Sequence, residues 1–355
     1  MLDEIDRRIA RVAPDAQRVE ALDKEVAALV ELELLKLPDT EAVDRANLAA
    51  VLKEQQLVAA LATDAAANRI ALGRILKADV LIALHARRSA ASIEAFAREH
   101  PERPLVVVLT GTDLYRDIRA DAAAQRSLEL ATRLVVLQDR GPDALPAALR
   151  GKCVVIYQSA PRLAPGARRR TTFDVAVVGH LRDEKDPRLA MRVAENLPDD
   201  SHIRVLHVGD ALDPALGRAA RSTERRCARY RWIGGLPRGR VRQVMRGARL
   251  LLHPSKMEGG AQAVLEAIQS GTPVIASDCA GNVGMLGSGY PGLFPVGDAG
   301  AAAELLHRAE SDARFLRALH AACKKRAALF DPERERRAVL GLVDNSLAKS
   351  SRRPR

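Results

Sequence analysis

Apolar positions fall into three textures along the chain. In residues 1–76 they recur at three- and four-residue intervals, as in Val19, Leu22, Val26 and Leu29 and again in Leu48, Val51 and Leu52. That spacing places them on one face of a helix, with Pro14 and Pro38 as breaks. The segment predicts helix throughout, with no Gly-rich loop and no strand-like run. Its expected role is a helical appendage or a homo-oligomerisation surface. From Asp79 the pattern changes. The runs VLIAL (80–84), PLVVVLT (104–110), LVVLQ (134–138) and CVVIY (153–157) are continuous rather than alternating. Continuous apolar runs suit strands buried on both faces of a parallel sheet. Helical stretches separate them, which is the signature of an open α/β sheet.

A Pro-, Gly- and Arg-rich stretch at 161–172 reads as a domain boundary. Strand-like runs then resume as FDVAVVG (173–179), IRVLHVG (203–209), RYRWIG (229–234), RLLLHP (249–254), TPVIAS (272–277) and GLFPV (292–296). The chain is helical from Ala299 to about Ala348. The predicted organisation is a helical segment (1–76), a partial Rossmann-like domain (77–165), a second Rossmann-like domain (166–330), and a C-terminal helix with a basic tail (331–355).

Composition narrows the function. No stretch approaches the roughly 20 apolar residues of a membrane span, and MLDEIDRRIA has no apolar run of a signal peptide. A cytoplasmic protein is expected. Cys153, Cys227, Cys279 and Cys323 lie too far apart for metal-ligand or redox spacing. Of the net charge of +11, the segment Arg218–Arg249 holds eleven arginines against one acid, Glu224. An Arg-rich solvated helix face and an anion-attracting patch both fit it. Nucleic-acid binding is not expected: aromatics are 3% of the chain, too few for stacking platforms, and no helix-turn-helix, zinc or RNA-binding signature occurs.

Ligands of open α/β sheets sit at the carboxyl ends of strands. One such end carries GHLRDEKDP (179–187), where Gly179 allows close backbone approach and Arg182 and Lys185 suit a diphosphate. Another carries SKMEGGAQAVLEAIQSGTPVIAS (255–277). Glu258 precedes Gly259 and Gly260, whose N–H groups face the start of the next helix, where its dipole favours anions. Glu266, eight residues on, suits a vicinal diol such as ribose. A helix-dipole acid and a solvated helix glutamate are the structural alternatives. In the first half, His85, Arg87 and Arg88 follow one strand, and Thr110, Thr112 and Asp113 follow the next. A small anion fits such a turn; equally, His85 suits a satisfied strand end and Asp113 a turn or N-cap.

From Phe173 to about Arg308, the order strand, P-S, E-G-G, glutamate, S-G-T-P-V-I-A-S resembles the family 4 retaining glycosyltransferases. The resemblance implies a GT-B fold, two Rossmann-like domains facing a cleft. It implies Glu258 on the transferred sugar, Glu266 on the nucleotide ribose, and Arg182 and Lys185 on the diphosphate. LIALHARRSAASI (81–93), LTGTDLYRDI (109–118), RSLELATRLVVLQ (126–138), MEGGAQAVLEAIQSGTPVIAS (257–277) and GNVGMLG (281–287) further resemble the selenosugar synthases of selenoneine biosynthesis. That implies transfer of a sugar from a UDP-sugar to selenophosphate. Glu258 and His85 are then the catalytic candidates. Gly179, Arg182, Lys185, Gly259, Gly260 and Glu266 bind the donor; Arg87, Arg88, Thr110, Thr112 and Asp113 bind the acceptor.

Members of that family place a strand, a Gly-rich loop, a helix and a second strand before the strand matching VLIALH. Here NRIALGRILKADVLIALH (68–85) keeps only part of that helix, so the first domain reads as truncated. A different acceptor, or a homologue that binds donor without turnover, remain alternatives. No metal or other cofactor is expected, since Asp-x-Asp is absent and Arg, Lys and helix N-termini neutralise the leaving diphosphate in this design.

Overall fold

The computed structural model describes residues 59–62, 78–164, 166 and 171–350. The expected N-terminal helices and their oligomerisation surface, and most of the basic tail, lie outside these residues. Two wholly parallel sheets organise the chain. The first has the order β1-β2-β3-β4-β5: β1 (Ala59–Ala62), β2 (Val80–Leu84), β3 (Leu105–Leu109), β4 (Arg133–Val136) and β5 (Cys153–Val155). The second has the order β11-β10-β9-β6-β7-β8: β6 (Phe173–Val178), β7 (Ile203–Val208), β8 (Tyr230–Gly234), β9 (Leu250–His253), β10 (Val274–Ser277) and β11 (Leu293–Phe294). This is the doubly wound dinucleotide-fold order, reversing between β6 and β9.

β1 corrects the expectation of helix throughout 1–76. Ala59 to Ala62 pair in parallel with Val80 to Ala83. The tetrapeptide AALA carries no β-branched residue and no flanking turn signal, so only the neighbouring strand defines it.

The continuous apolar runs of β2 to β4 have a two-sided cause. Leu81, Ala83, Leu105, Val107, Leu109, Leu134 and Val136 face Ile93 and Phe96 of helix Ala90–Glu99 and Ala124 and Leu128 of helix Ala122–Leu130. The alternate residues Val80, Ile82, Val106, Val108 and Val135 belong to a second cluster with Val339, Leu342 and Val343. These three lie on helix Pro332–Ser350. The C-terminal helix therefore returns to cover the first sheet, so residues 332–350 belong structurally to the first domain rather than to a separate terminal unit. Arg326 fastens the junction. It donates to Asp139 and Tyr157 on the first-domain side and to the carbonyls of Gly284 and Met285 on the second. No helix among the described residues is long and apolar enough to cross a membrane.

Candidate functional site

The carboxyl ends of both sheets face one another across a cleft. A cavity there is lined by Arg88, Thr110, Gly111, Thr112 and Arg116 from the first domain and by Arg182, Glu184, Lys185, Met257, Glu258 and Gly259 from the second. A second cavity, lined by Asp139, Tyr157 and Glu335 among others, holds none of the candidate residues.

The first-domain wall is built around Asp113, which is fully buried. Its Oδ1 accepts from the backbone N–H of Thr110 and of Gly111, each at 2.9 Å, and its Oδ2 accepts from Ala86 N at 2.9 Å. One carboxylate thus ties the end of β3 to the loop after β2. His85 is 2% exposed with a left-handed backbone, φ 70°, a conformation uncommon outside glycine. Arg88 N–H donates to its Nδ1 at 3.3 Å, which leaves Nε2 as the protonated nitrogen facing Thr112 Oγ1 at 3.0 Å. His85, Arg87 and Asp113 therefore stand behind the cavity lining, while Arg88, Thr110 and Thr112 form it. Arg87 donates to Asp117 at 2.8 Å. Burial favours the neutral form of Asp117, but hydrogen bonds from Arg116 and Arg87 outweigh it and hold its pKa below the usual carboxylate range.

The second-domain wall combines two loops. Lys256 N–H donates to the Glu184 carbonyl, and its ammonium group meets Asp183 at 2.6 Å, which stitches 182–185 to 255–259. The first loop passes into helix Pro187–Asn196 through Asp186, whose side chain caps Leu189 N–H. Glu258 is 8% exposed, and its Oε1 takes Lys185 Nζ at 2.6 Å and His253 Nε2 at 3.0 Å. Burial alone would raise its pKa. The charges of Lys185 and His253 and their hydrogen bonds reverse this and hold the carboxyl far below the ordinary range. Arg182 Nε is buried without a hydrogen-bond partner, an isolated cationic donor on the wall.

Glycine permits the two walls to meet. A Cβ on Gly111, which has φ 141°, would lie 2.9 Å from Gly259 N, and one on Gly259 would strike the Thr110 carbonyl. Arg116 bridges the walls to Glu184 at 3.3 Å. Glu266 lies on helix Gln262–Gln269, 5% exposed and outside the cavity lining. Its Oε1 accepts from Arg238 Nε at 3.0 Å and from Gln262 at 3.4 Å. Gly260 faces Leu137 and Gln158, and Gly179 packs on the Lys185 stem.

Residues 164–329 match a family described as "Glycosyl transferases group 1". Curated relatives are the D-inositol 3-phosphate glycosyltransferases of Corynebacterium glutamicum, 27% identical over 227 residues, and of Nocardia farcinica, 29% over 222. Each alignment covers 59% of this chain and 54% or 49% of the relative, so the chain aligns with about half the length of each. Solved structures with the same fold include Anabaena HepE in complex with UDP-glucose, at TM-score 0.64 and 17% identity over 78% of this chain and 82% of that one. Sucrose-phosphate synthase from Thermosynechococcus elongatus also has TM-score 0.64 and 17% identity, over 79% of each chain. These neighbours are GT-B glycosyltransferases, and the present fold is of that α/β class.

Four residues of the two walls and of the Glu266 pocket were not singled out from the sequence. Arg116 lay inside the quoted GTDLYRDI motif, and Glu184 inside GHLRDEKDP. His253 ends a buried strand five residues before Glu258, the position type that drew attention to His85. Arg238 was hidden in the Arg-rich segment, where nothing in the spacing singled out the one arginine paired with Glu266.

Proposed function

We propose that this chain transfers a sugar from a UDP-sugar to selenophosphate, giving a selenosugar. The carrying observation is the cavity where the two sheets meet: four cations (Arg88, Arg116, Arg182 and Lys185), two threonine hydroxyls and two carboxylates, Glu184 and Glu258, the latter held ionised. In this reading Arg182 and Lys185 take the donor diphosphate, and the unpartnered Arg182 Nε supports that role. Glu266 takes the ribose diol, with Arg238 fixing the carboxylate. Glu258 and the Gly259 and Gly260 amides hold the sugar ring. Arg88, Thr110 and Thr112 bind the acceptor anion; Asp113, Arg87 and His85 position that wall from behind. The leaving diphosphate is neutralised by side chains and backbone N–H groups, so the reading invokes no metal. β1 supports a working first domain over an impaired one, because it supplies a strand on the side that the sequence left bare.

A second reading keeps the site and changes the acceptor to a sugar or polyol phosphate. The named activity of the curated relatives favours it. Both acceptors are small anions and suit the same cations. UDP release from UDP-glucose and from UDP-N-acetylglucosamine, measured with selenophosphate, with an inositol phosphate and with neither, separates the two. Selenophosphate-dependent release with a selenosugar mass is expected. Release that requires the inositol phosphate overturns the selenium assignment, and no UDP-sugar binding overturns the donor assignment. A Glu266→Ala substitution is expected to weaken UDP binding about tenfold or more, the loss of a charge-assisted hydrogen bond.

A further inference from the structure

Glu258 does not rest on Lys185 alone. His253, the last residue of β9, is 1% exposed and puts Nε2 3.0 Å from Glu258 Oε1 and 3.3 Å from Ser255 Oγ. Its Nδ1 is buried and forms no hydrogen bond among the described residues. A polar network stiffens the floor beneath: Asn282 Nδ2 donates to Ser277, and Ser277 Oγ donates to the Ser255 carbonyl. Gly281 packs so closely under Glu258 that a Cβ there would collide with the Glu258 carbonyl. The Glu258 backbone is thus fixed from below, and its carboxylate from one side by His253 and from the other by Lys185.

These two donors differ in freedom. Lys185 is a flexible amine lining the cavity; in the reading above it turns to the diphosphate when donor binds. His253 lies within the fold and has nowhere to go. We propose that His253 is a positioning residue for Glu258: its Nε2–H holds the carboxylate ionised and in place while Lys185 serves the donor. This rests on the proposed sugar transfer only for its kinetic consequence. Because Nε2 faces a carboxylate, it carries the proton. Arg88, Arg116, Arg182 and Glu184 line the same cavity as Glu258, and the nearby Cys279 thiol, which feels the Glu258 charge, is pushed up to about 11 by burial and stays neutral.

The test compares wild type, His253→Leu and His253→Gln, the last keeping an N–H donor near the Nε2 position. For His253→Leu, kcat for sugar transfer is expected to fall roughly tenfold or more, as for loss of a hydrogen bond to a buried charge. Affinity for UDP alone should change less than about threefold, because UDP carries no sugar to reach Glu258. The acid limb of the kcat/KM profile should move to higher pH, since Glu258 loses a donor to its ionised form. His253→Gln should restore most of kcat. Unchanged kcat and pH profile in His253→Leu would overturn the proposal, as would a parallel loss of UDP binding that Gln does not rescue. Melting temperature against pH gives a readout without turnover. A carboxyl with depressed folded-state pKa stabilises the fold above its unfolded pKa and loses that contribution as pH falls; His253→Leu should flatten the acid slope. If wild type fails to turn over while His253→Leu still flattens the acid slope relative to it, the transfer reading fails and the positioning role stands.

Discussion

The two walls of the cleft use their polar groups in opposite ways. In the first, Asp113 accepts three backbone N–H groups and His85 is bonded on both ring nitrogens, so these side chains are occupied in holding the turn. In the second, Arg182 carries an unpartnered buried nitrogen and Lys185 bonds a carboxylate that itself lines the cavity. Residue type alone would rank the two walls equally. Satisfied bonding makes the first a scaffold with a few exposed tips; incomplete or exchangeable bonding leaves the second with groups free to take the donor in the reading proposed above.

Four measurements sharpen this contrast. Asp113→Ala should be the most damaging, because it strands three buried N–H groups; a loss of about 3 kcal/mol or more is expected in denaturant unfolding, and stability close to wild type would remove the scaffold role. Acid should next loosen the second domain. Burial lowers the His207 pKa to about 4, against a Gly179 backbone hydrogen bond that raises it. The unfolded chain binds the proton near pH 6.5 and the folded one only near 4, so stability falls as pH drops through that window. Between pH 7 and 5 the loss is about 2 kcal/mol, and His207→Gln should flatten it. Arg182→Ala should leave the melting temperature unchanged and weaken UDP binding by about tenfold; an equal loss of stability would make Arg182 scaffold as well. Last, a double-mutant cycle on Arg116 and Glu184, one partner from each wall, should give about 0.5 kcal/mol, since Arg116 is half exposed.

Much of this was legible in the sequence. Uninterrupted Val, Ile and Leu runs announced doubly covered parallel strands, and E-G-G after such a run placed Glu258 at a strand end facing a helix. What stayed hidden depends on partners distant in sequence. The apolar stripe of helix 332–350 shows that it packs, not that it packs on β2 and β3. The acid at Asp113 fits a turn and a ligand site equally well until its three donors are seen. AALA in β1 has no strand signature of its own.

The return of helix Pro332–Ser350 to the first sheet has a consequence for biosynthesis. One face of β2 and β3 is covered by residues made more than 200 positions later. At translation rates of roughly 5–20 residues per second, that face leaves the ribosome tens of seconds before its cover. During that interval Val80, Ile82, Val106 and Val108 form an open apolar surface in the nascent chain, while the second domain, whose core runs from Tyr157 to Phe330, is itself still being made. Helix Pro332–Ser350 thus sets when the first sheet stops presenting an open apolar face.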